Sequence, residues 1–334
     1  MLRKLFGKAS DEFSQPKDTL AVVVSSKKTI ADKVVELELR SPEGGDLPAF
    51  TAGSHIDLHL SKDQMRQYSL ANNPTEKDRY LCAVLIEEEG TGGSKAVAEK
   101  VQEGDRLFVS NPRNHFALSE DAEHSILIAG GIGVTPLLAM AYRLKQQGKS
   151  FKFYYRCRTR SRAAYAELLV QEFADSVECF FSDEGGREMF DLIRIMEDVP
   201  PNTHLYTCGG NDFMDQVVEA AKTRLPEEQI HLEHFHPPEI ENQGEDAGFE
   251  LYCTKSDKRL QVPADKSIVE VLDENGIDIP ISCTEGICGS CITHFTEGEV
   301  DHRDFVLSKS EKEKKRLFTP CCSRAAGPRL AIDI

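Results

Sequence analysis

The sequence predicts a multidomain protein in which an antiparallel β domain is followed by a parallel α/β domain and a small cysteine-rich domain. Three observations predict this fold class. The 334 residues exceed what one ordinary hydrophobic core accommodates. Short strand patterns fill the first part of the chain, and strands alternate with helices in the middle part. Three cysteines lie within ten residues of each other near the end.

The composition indicates a globular protein of the cell interior. Hydrophobic residues make up 40% of the chain, and no run approaches the ~20 apolar residues of a membrane span. The net charge of −16 argues against nucleic acid as a partner, because phosphate binding needs basic surface. Ten cysteines without an export signal predict a reducing cytoplasm, where disulfides are rare. We expect residues 1–17 to form an N-terminal tail.

Residues 18–117 predict a small antiparallel β-barrel or sandwich, because several short strands are separated by Gly, Pro and Asn turns. The predicted strands are LAVVVSSKKTI (20–30), VVELELR (34–40), HIDLHL (55–60), RQYSLA (66–71), RYLCAVLI (79–86) and DRLFVS (105–110).

The stretch MRQYSLA (65–71) carries side chains suited to a phosphate and a planar ring. Alternation along a strand places Arg66 and Tyr68 on one face and Ser69 on the other. The Arg66 guanidinium suits a phosphate, the Tyr68 ring offers an aromatic face, and Ser69 offers a hydroxyl to a ring nitrogen. The later glycine turn GTGG precedes Ser94 at the head of a helical stretch, where N–H groups face an anion.

Residues 118–236 predict a parallel sheet, because strands and helices alternate there. The predicted strands are SILIAG (125–130), FKFYYRC (151–157), VECFFS (177–182) and THLYTC (203–208). The predicted helices are TPLLAMAYRLKQQG (135–148), AAYAELLVQEF (163–173) and NDFMDQVVEAAKTRL (211–225).

Two loops that follow strands of this sheet predict a nucleotide site. AGGIGVTP (129–136) lies where a phosphate loop is expected, although Pro136 takes the last glycine position of the dinucleotide fingerprint. YTCGG (206–210) ends another strand of the same sheet. Since ligands of open α/β sheets bind beyond the carboxyl ends of the strands, Cys208 and Gly209 should face the same site.

The segment 249–334 follows a polar, acidic linker at 237–248 and contains a group of closely spaced cysteines. The group has the spacing Cys-x4-Cys-x2-Cys and comprises Cys283, Cys288 and Cys291. A structural zinc site usually shows two separated Cys-x2-Cys knuckles, and a redox dithiol has no use for a third cysteine. This spacing with a distant fourth cysteine is typical of a plant-type [2Fe–2S] cluster.

RQYS, GGS, GGIGVTP, CGG and the cysteine spacing together resemble the phthalate dioxygenase reductase family of the ferredoxin reductase superfamily. The motifs follow the order of that family's flavin, nicotinamide and ferredoxin domains from about residue 18 onward. The resemblance implies an FMN-binding antiparallel β-barrel over 18–117 and an NAD(P)H-binding α/β domain over 118–236. It implies an α+β domain of the β-grasp type, with a [2Fe–2S] cluster, over 249–334.

The resemblance also implies which residues contact the cofactors. It places the FMN phosphate at Arg66, Gly93 and Ser94, and the flavin ring at Tyr68 and Ser69. It places nicotinamide and its phosphates at Gly131, Gly133, Thr135, Pro136, Cys208 and Gly209. Phe235 resembles an aromatic residue of the family that lies near the flavin, and Ser69 and Cys208 are expected at the reacting atoms.

Two positions depart from the family's pattern. Members specific for NADH often carry an acidic residue after the second strand of the nucleotide domain, whereas this chain has Arg158, Arg160 and Arg162 in that stretch. A basic cluster suits the 2′-phosphate of NADPH, but the family leans to NADH, which we expect here with Arg158 at the nucleotide. Leu85 stands where some members have a basic residue near the flavin phosphate.

The fourth cluster ligand is one of two neighbouring cysteines. The family's spacing lies near the 29 residues that separate Cys291 from Cys321, and 30 residues separate Cys291 from Cys322. On an extended segment, neighbouring side chains point to opposite sides, so one of the two reaches the cluster. We expect Cys321 to be the ligand and Cys322 to pack as a compact hydrophobic residue.

The resemblance implies the reductase component of a two-component Rieske-type oxygenase, a demethylase or a dioxygenase. Electrons would pass from NADH through FMN and the cluster to a separate oxygenase, and the protein is expected to be a cytoplasmic monomer without a membrane partner. Three alternatives remain at this point: a reductase serving another acceptor such as a haem or a ferric complex, a redox sensor, and a zinc-binding interaction module. Steady reduction of cytochrome c by NADH separates turnover from sensing, and a colourless protein would favour zinc.

Overall fold

The structure, a computed structural model, describes residues 14–62, 64–89, 92–239 and 246–334. It divides into two compact units, one that ends at Phe235 and one that begins at His236. Most of the predicted N-terminal tail and the centre of the predicted linker lie outside the described residues. Within the described ranges, no helix has the length and apolar character that crossing a bilayer requires. The finer domain boundaries stay predictions.

The first sheet of the larger unit is antiparallel, with its strands in the order β4-β3-β6-β1-β2-β5. Past the end of β4, the Ala71 N–H donates to the Leu81 carbonyl of β5 at 2.9 Å, so the two edge strands approach each other as in a barrel. The elements are Thr19–Ala31 (β1), Val34–Arg40 (β2), His55–Ser61 (β3), Gln64–Ser69 (β4), Tyr80–Leu85 (β5), Gly93–Glu99 (α1) and Arg106–Ser110 (β6).

The second sheet of this unit has five strands in the order β11-β10-β7-β8-β9, and all of its pairings are parallel, as the strand–helix alternation predicts. Its strands are His124–Gly130 (β7), Ser150–Cys157 (β8), Val177–Phe181 (β9), Thr203–Cys208 (β10) and Ile230–Glu233 (β11). Its helices are Val134–Gln147 (α2), Ala166–Phe173 (α3), Gly186–Met189 (α4), Leu192–Ile195 (α5) and Asn211–Ala221 (α6).

One hydrophobic core joins the two sheets of the larger unit. Ala52 and Phe116 from the antiparallel part pack with Leu127 and the α2 helix of the parallel part. The Tyr165 hydroxyl donates to Glu36 Oε2 across the same boundary at 2.7 Å. Because Tyr165 has φ +61°, α3 begins after it, at Ala166, and not at residue 163 as predicted. The nucleotide part and the barrel part are therefore fixed against each other by apolar burial and a hydrogen bond.

The smaller unit has a five-stranded mixed sheet in the order β13-β12-β18-β14-β16, with one helix packed on it in the β-grasp manner, and a two-stranded pair β15-β17. The β12–β18 pair is parallel and the others are antiparallel. The elements are Phe249–Cys253 (β12), Lys258–Val262 (β13), Ile268–Glu274 (α7), Thr293–Glu297 (β14), Val300–Asp301 (β15), Lys309–Glu313 (α8), Leu317–Phe318 (β16), Arg324–Ala325 (β17) and Arg329–Ile332 (β18).

Local signals and tertiary pairing compete in this unit. The α7 helix begins at a complete capping box, in which Ser267 and Glu270 satisfy each other's backbone N–H groups. The charged stretch EKEKKRLF (311–318) predicts a helix with a solvated face, and this prediction is wrong in its second half. The α8 helix ends at Glu313, and Leu317–Phe318 instead pairs with β14 and buries Phe318 completely. Burial of that aromatic ring outweighs the helical propensity of the charged stretch.

Candidate functional site

Strand β4 and the first turn of α1 form a cradle for an anion. A Cβ on Gly93 would lie 2.4 Å from Arg66 Nε, so a glycine is needed for the guanidinium to lie against this turn. Ser94 follows, and its Oγ accepts the Glu87 N–H at 3.0 Å, which leaves the hydroxyl proton for a second partner. The structure thus brings Arg66, Gly93 and Ser94 together, and this donor set fits a phosphate.

A buried carboxylate holds β4 in place from its other face. Asp57 Oδ1 accepts Gln67 Nε2 at 2.9 Å and Arg113 Nη2 at 2.8 Å. Burial raises the pKa of the Asp57 carboxyl, but the hydrogen bond and charge of Arg113 outweigh burial and hold the pKa below its usual range.

On the face predicted for a planar ring, Tyr68 is partly buried, and burial raises the pKa of its hydroxyl. The tyrosine is therefore neutral at physiological pH.

The loops AGGIGVTP and YTCGG pack directly on each other. They follow the neighbouring parallel strands β7 and β10, in which Cys208 lies opposite Ala129. A Cβ on Gly133 would lie 2.2 Å from the Cys208 carbonyl oxygen and 2.7 Å from the Gly209 nitrogen, so the two backbones touch where Gly133 has no side chain. Gly131 has φ +53° and open space where a Cβ would stand. The predicted nucleotide loops therefore share a floor made of backbone.

Thr135 and Pro136 are buried in the first turn of α2. Thr135 Oγ1 donates to the Ile132 carbonyl at 3.1 Å, which braces the turn. Their contact with a nucleotide stays a prediction, and so does that of the exposed Arg158 at the end of β8.

A carboxyl group connects the barrel residue Ser69 with Cys208. Strands β10 and β11 pair so that Cys208 lies opposite Glu233, and Ser69 Oγ donates to Glu233 Oε2 at 3.2 Å. Although Glu233 is partly exposed as a residue, its carboxyl group is enclosed, and this burial raises its pKa to about 8. Burial, with the charge of Glu233, also raises the pKa of the Cys208 thiol.

The stretch HLEHFH (231–236) predicts a structural strand except at Phe235, so the sequence analysis misses Glu233. One signal was available, because Glu233 ends the last strand of the sheet, at the edge where ligands bind. Two residues later, Phe235 packs partly buried against the shared core. Between these two residues in the sequence, His234 has its Nδ1 3.1 Å from Oδ1 of Asn211, the residue that directly follows the CGG turn.

Four of the six cysteines of the smaller unit form two thiol pairs, and Cys322 contacts one of these pairs. Cys283 and Cys288 are hydrogen bonded, and this contact lowers the pKa of Cys288 to about 5 and raises that of Cys283. Cys291 packs against Cys321, and hydrogen bonding with the Cys291 thiol raises the pKa of Cys321 to about 12. In the described ranges, no three His, Cys, Asp or Glu side chains converge on one point as a single metal ion would require.

Backbone N–H groups of the cysteine loop point at the sulfur atoms. The Glu285 N–H donates to Cys283 Sγ at 3.3 Å, and the Ser290 N–H donates to Cys288 Sγ at 3.4 Å. Such N–H groups stabilise thiolate and sulfide charge in an iron–sulfur site. Four thiols in two pairs, with donors directed at them, fit a [2Fe–2S] cluster that takes two cysteines at each iron.

The premise used to choose between Cys321 and Cys322 is wrong, because the segment is a turn and is not extended. The Cys322 and Ser323 N–H groups both donate to the Thr319 carbonyl, at 3.3 and 3.0 Å. Cys321 is hydrogen bonded to Cys291. Cys322 is hydrogen bonded to Cys321, packs against the same group, and has its Sγ 3.2 Å from Thr319 Oγ1. The choice of Cys321 stays a prediction, supported by its direct contact with Cys291 and no longer by alternation.

Comparisons with known proteins show what the chain is similar to. Residues 249–326 match the family model described as a 2Fe-2S iron-sulfur cluster binding domain. Residues 109–229 match that of the dimethylamine monooxygenase subunit DmmA-like N-terminal domain. The chain is 41% identical to a vanillate O-demethylase oxidoreductase from Pseudomonas sp. (strain HR199 / DSM 7063), over 94% of this chain and 100% of that protein.

Two solved structures have the same arrangement of elements. One, titled phthalate dioxygenase reductase, a modular structure for electron transfer from pyridine nucleotides to [2Fe-2S], is 35% identical, with a TM-score of 0.70 over 96% of this chain and 100% of that chain. The other, an intact type IV self-sufficient cytochrome P450 monooxygenase, is 34% identical, with a TM-score of 0.89. The match covers 98% of this chain and 43% of the P450 chain.

Replacing Glu233 should change how stability depends on pH. A carboxyl whose pKa is about 8 when folded and 4.5 ordinarily holds its proton more tightly in the folded state, so the free energy of unfolding falls as pH rises between these values. Glu233→Gln removes this loss. The difference in the free energy of unfolding between variant and wild type should therefore shift in favour of the variant by on the order of 2 kcal/mol from pH 5 to pH 8. Calorimetric unfolding at both pH values measures it. The exposed Glu219→Gln is the control, and an equal difference at both pH values would contradict the assignment.

Adding a methyl group to the cysteine loop should destabilise the cluster. A Cβ on Gly286, where φ is +74°, would lie 2.6 Å from Cys322 Sγ and 3.0 Å from Asp304 Cα. Gly286→Ala should therefore lower the iron and sulfide content per chain and the visible absorbance of the cluster. Gly276→Ala is a matched control, because Gly276 has φ +69° with open space around a Cβ. Equal cluster content in the two variants would show that backbone strain, and not the contact, is responsible.

Proposed function

Because the chain belongs to the family of oxygenase reductase components that includes vanillate O-demethylase oxidoreductase and phthalate dioxygenase reductase, we propose that it carries electrons from NADH to a separate Rieske-type oxygenase. The oxygenase would be a demethylase or a dioxygenase. The route runs through FMN and a [2Fe–2S] cluster held by this chain. We further propose that the protein acts in the cytoplasm as a monomer, without nucleic acid or a membrane.

The two cysteine pairs carry this proposal. When bound, nicotinamide, FMN and a [2Fe–2S] cluster would supply hydride transfer, division of the electron pair and single-electron transfer, and the residues of this chain would hold them. A chain that has both a one-electron cluster and a nucleotide site needs a flavin to divide the electron pair. The cradle of Arg66, Gly93 and Ser94 supports FMN as that flavin, because it suits a terminal phosphate.

The side chains of the larger unit serve to position the reactants. Tyr68 would lie against the flavin ring and Phe235 would cover it where nicotinamide is absent. The backbone floor at Gly131, Gly133 and Gly209 would let the dinucleotide approach closely. Each of these is a binding task, since hydride transfer itself requires no catalytic acid or base.

Ser69, Cys208 and Glu233 would surround the reacting atoms. The Ser69 hydroxyl donates to Glu233, and this hydrogen bond fixes the orientation of the hydroxyl. The raised pKa keeps the Glu233 carboxyl largely protonated near pH 7. An uncharged carboxyl can donate a hydrogen bond to the nicotinamide and adds no negative charge beside an electron-rich flavin. Cys208 is fully buried opposite Glu233 and would keep water away from the reacting atoms.

A second candidate acceptor is a haem. The same fold occurs as part of a self-sufficient cytochrome P450 monooxygenase. In that case the chain would serve a cytochrome P450 in place of a Rieske-type oxygenase.

An anaerobic titration of the purified holoprotein tests the proposal. NADH should bleach the flavin absorbance and then produce the electron paramagnetic resonance signal of a reduced [2Fe–2S] cluster. Turnover with a Rieske-type oxygenase and with a cytochrome P450, measured as NADH-dependent product formation, then identifies the acceptor. Flavin reduction without any cluster signal would contradict the electron route, and product only with the P450 would select the second candidate.

Removing the Arg66 guanidinium should release FMN. A hydrogen bond to a charged group contributes about 1.5–3 kcal/mol, so Arg66→Ala should weaken FMN affinity about ten- to hundredfold. Iron and sulfide per chain should stay constant. The affinity is measured by flavin fluorescence, with the exposed Arg106→Ala as the matched control. Unchanged FMN affinity in Arg66→Ala would remove this residue from the phosphate site.

Replacing the two neighbouring cysteines one at a time should identify the fourth ligand. Cys321→Ala should lose the visible absorbance of the cluster and keep NADH-dependent reduction of FMN, because the flavin site lies in the other unit. Cys322→Ala should keep the cluster and lose some packing around Thr319. The reverse result would make Cys322 the ligand.

A further inference from the structure

An ion pair joins the ends of two neighbouring strands of the parallel sheet. Arg160 follows β8 and Glu184 follows β9. Arg160 Nε donates to Glu184 Oε1 at 3.1 Å, and Arg160 Nη2 donates to Glu184 Oε2 at 2.9 Å. The guanidinium also lies 4.3 Å from the centre of the Phe181 ring. A two-pronged ion pair and a stacked ring together hold Arg160 in one orientation.

The pair lies at the edge of the sheet where the proposed function places the nucleotide. Strand β8 is the neighbour of β7, whose end leads into the AGGIGVTP turn. When a dinucleotide binds with its phosphates at such a turn, its adenosine ribose lies over the end of the next strand, and residues there read the 2′ position. In this chain that place is occupied by residues 158–162.

We propose that Glu184 is a specificity-determining residue that makes this site prefer NADH to NADPH by occupying Arg160, an inference that rests on the proposed function. A 2′-phosphate could use the Nε–Nη2 edge of Arg160, which forms the two-pronged contact, only by displacing the Glu184 carboxylate. The displaced carboxylate would remain close to the phosphate and repel it. The uncharged 2′-hydroxyl of NADH neither has to displace the Glu184 carboxylate nor is repelled by it.

One neighbouring group, Asp183, has the same bias, whereas Arg158 and Arg162 would attract a 2′-phosphate. The Asp183 N–H donates to the Arg158 carbonyl at 3.2 Å, so a second carboxylate, that of Asp183, lies in the turn that carries Glu184. The side chains of Arg160 and Glu184 are 64% and 48% exposed, so a bound nucleotide can reach them. Exposed ion pairs are weak and salt-sensitive, which limits the expected discrimination to about tenfold.

The test compares nucleotide preference in matched variants of the holoprotein. Ferricyanide reduction gives kcat/KM with NADPH and with NADH for wild type, Glu184→Gln, Arg160→Gln and the double variant. Glu184→Gln should raise the NADPH-to-NADH ratio about tenfold, mainly through a lower KM for NADPH, because Arg160 becomes available. In the double variant the gain should disappear. The control is Glu172→Gln, which removes a partly exposed carboxylate paired with Lys145 on α2.

Binding without turnover gives a second readout. Competitive inhibition by 2′,5′-ADP relative to 5′-AMP should strengthen about tenfold in Glu184→Gln, and the gain should fall as salt rises. The proposal would be overturned by an NADPH-to-NADH ratio of kcat/KM in Glu184→Gln within twofold of the wild-type ratio. It would also be overturned by an equal rise of this ratio in the double variant. In either case, turnover with NADH would leave the proposed function intact. Absence of any reduction by NADH in the wild-type holoprotein would instead overturn the proposed function and this inference with it.

Discussion

Contact between two backbone turns is the constraint on which the site of the larger unit depends. Gly133 lies against the Cys208 carbonyl, so the loops after β7 and β10 meet without intervening side chains. The parallel register then places Cys208 between Ala129 on one strand and Glu233 on the other. Since Glu233 in turn bonds to Ser69 of the barrel, one close approach of backbone positions groups from four strands and two sheets.

Most regular elements were predictable because their signals are local. The stretch VVELELR coincides with β2, and α2 ends where Gly148 takes a left-handed conformation, as a helix-terminating glycine does. The predictions failed where distant contacts decide the outcome. Tyr165 delays α3 while its hydroxyl bonds to a barrel strand, and Leu317–Phe318 leaves the helical pattern to pair with β14. The fold class and the family were confirmed, and the roles of individual residues remain predictions.

The functional site was predictable only where its chemistry is written in consecutive residues. Glycine turns and closely spaced cysteines are recognisable because their spacing is itself the requirement. A single carboxylate has no such signature. Glu233 gains its significance from Ser69, which lies 164 residues away in the chain, and Glu184 gains its own from Arg160, which follows the neighbouring strand β8. The first relation comes from packing between the two sheets and the second from pairing of β8 with β9, and one sequence displays neither.

The position of β18 has a consequence for biosynthesis. This strand, Arg329–Ile332, lies between β12 and β14, and Leu330 and Ile332 are completely buried in the core of the smaller unit. A nascent chain synthesised through Cys322 already carries every thiol of the cysteine loop but lacks the strand that joins the two halves of the sheet. The larger unit, whose residues come first, can fold on the ribosome in the meantime. The sheet that carries the cysteine loop is therefore complete only once β18 has been translated.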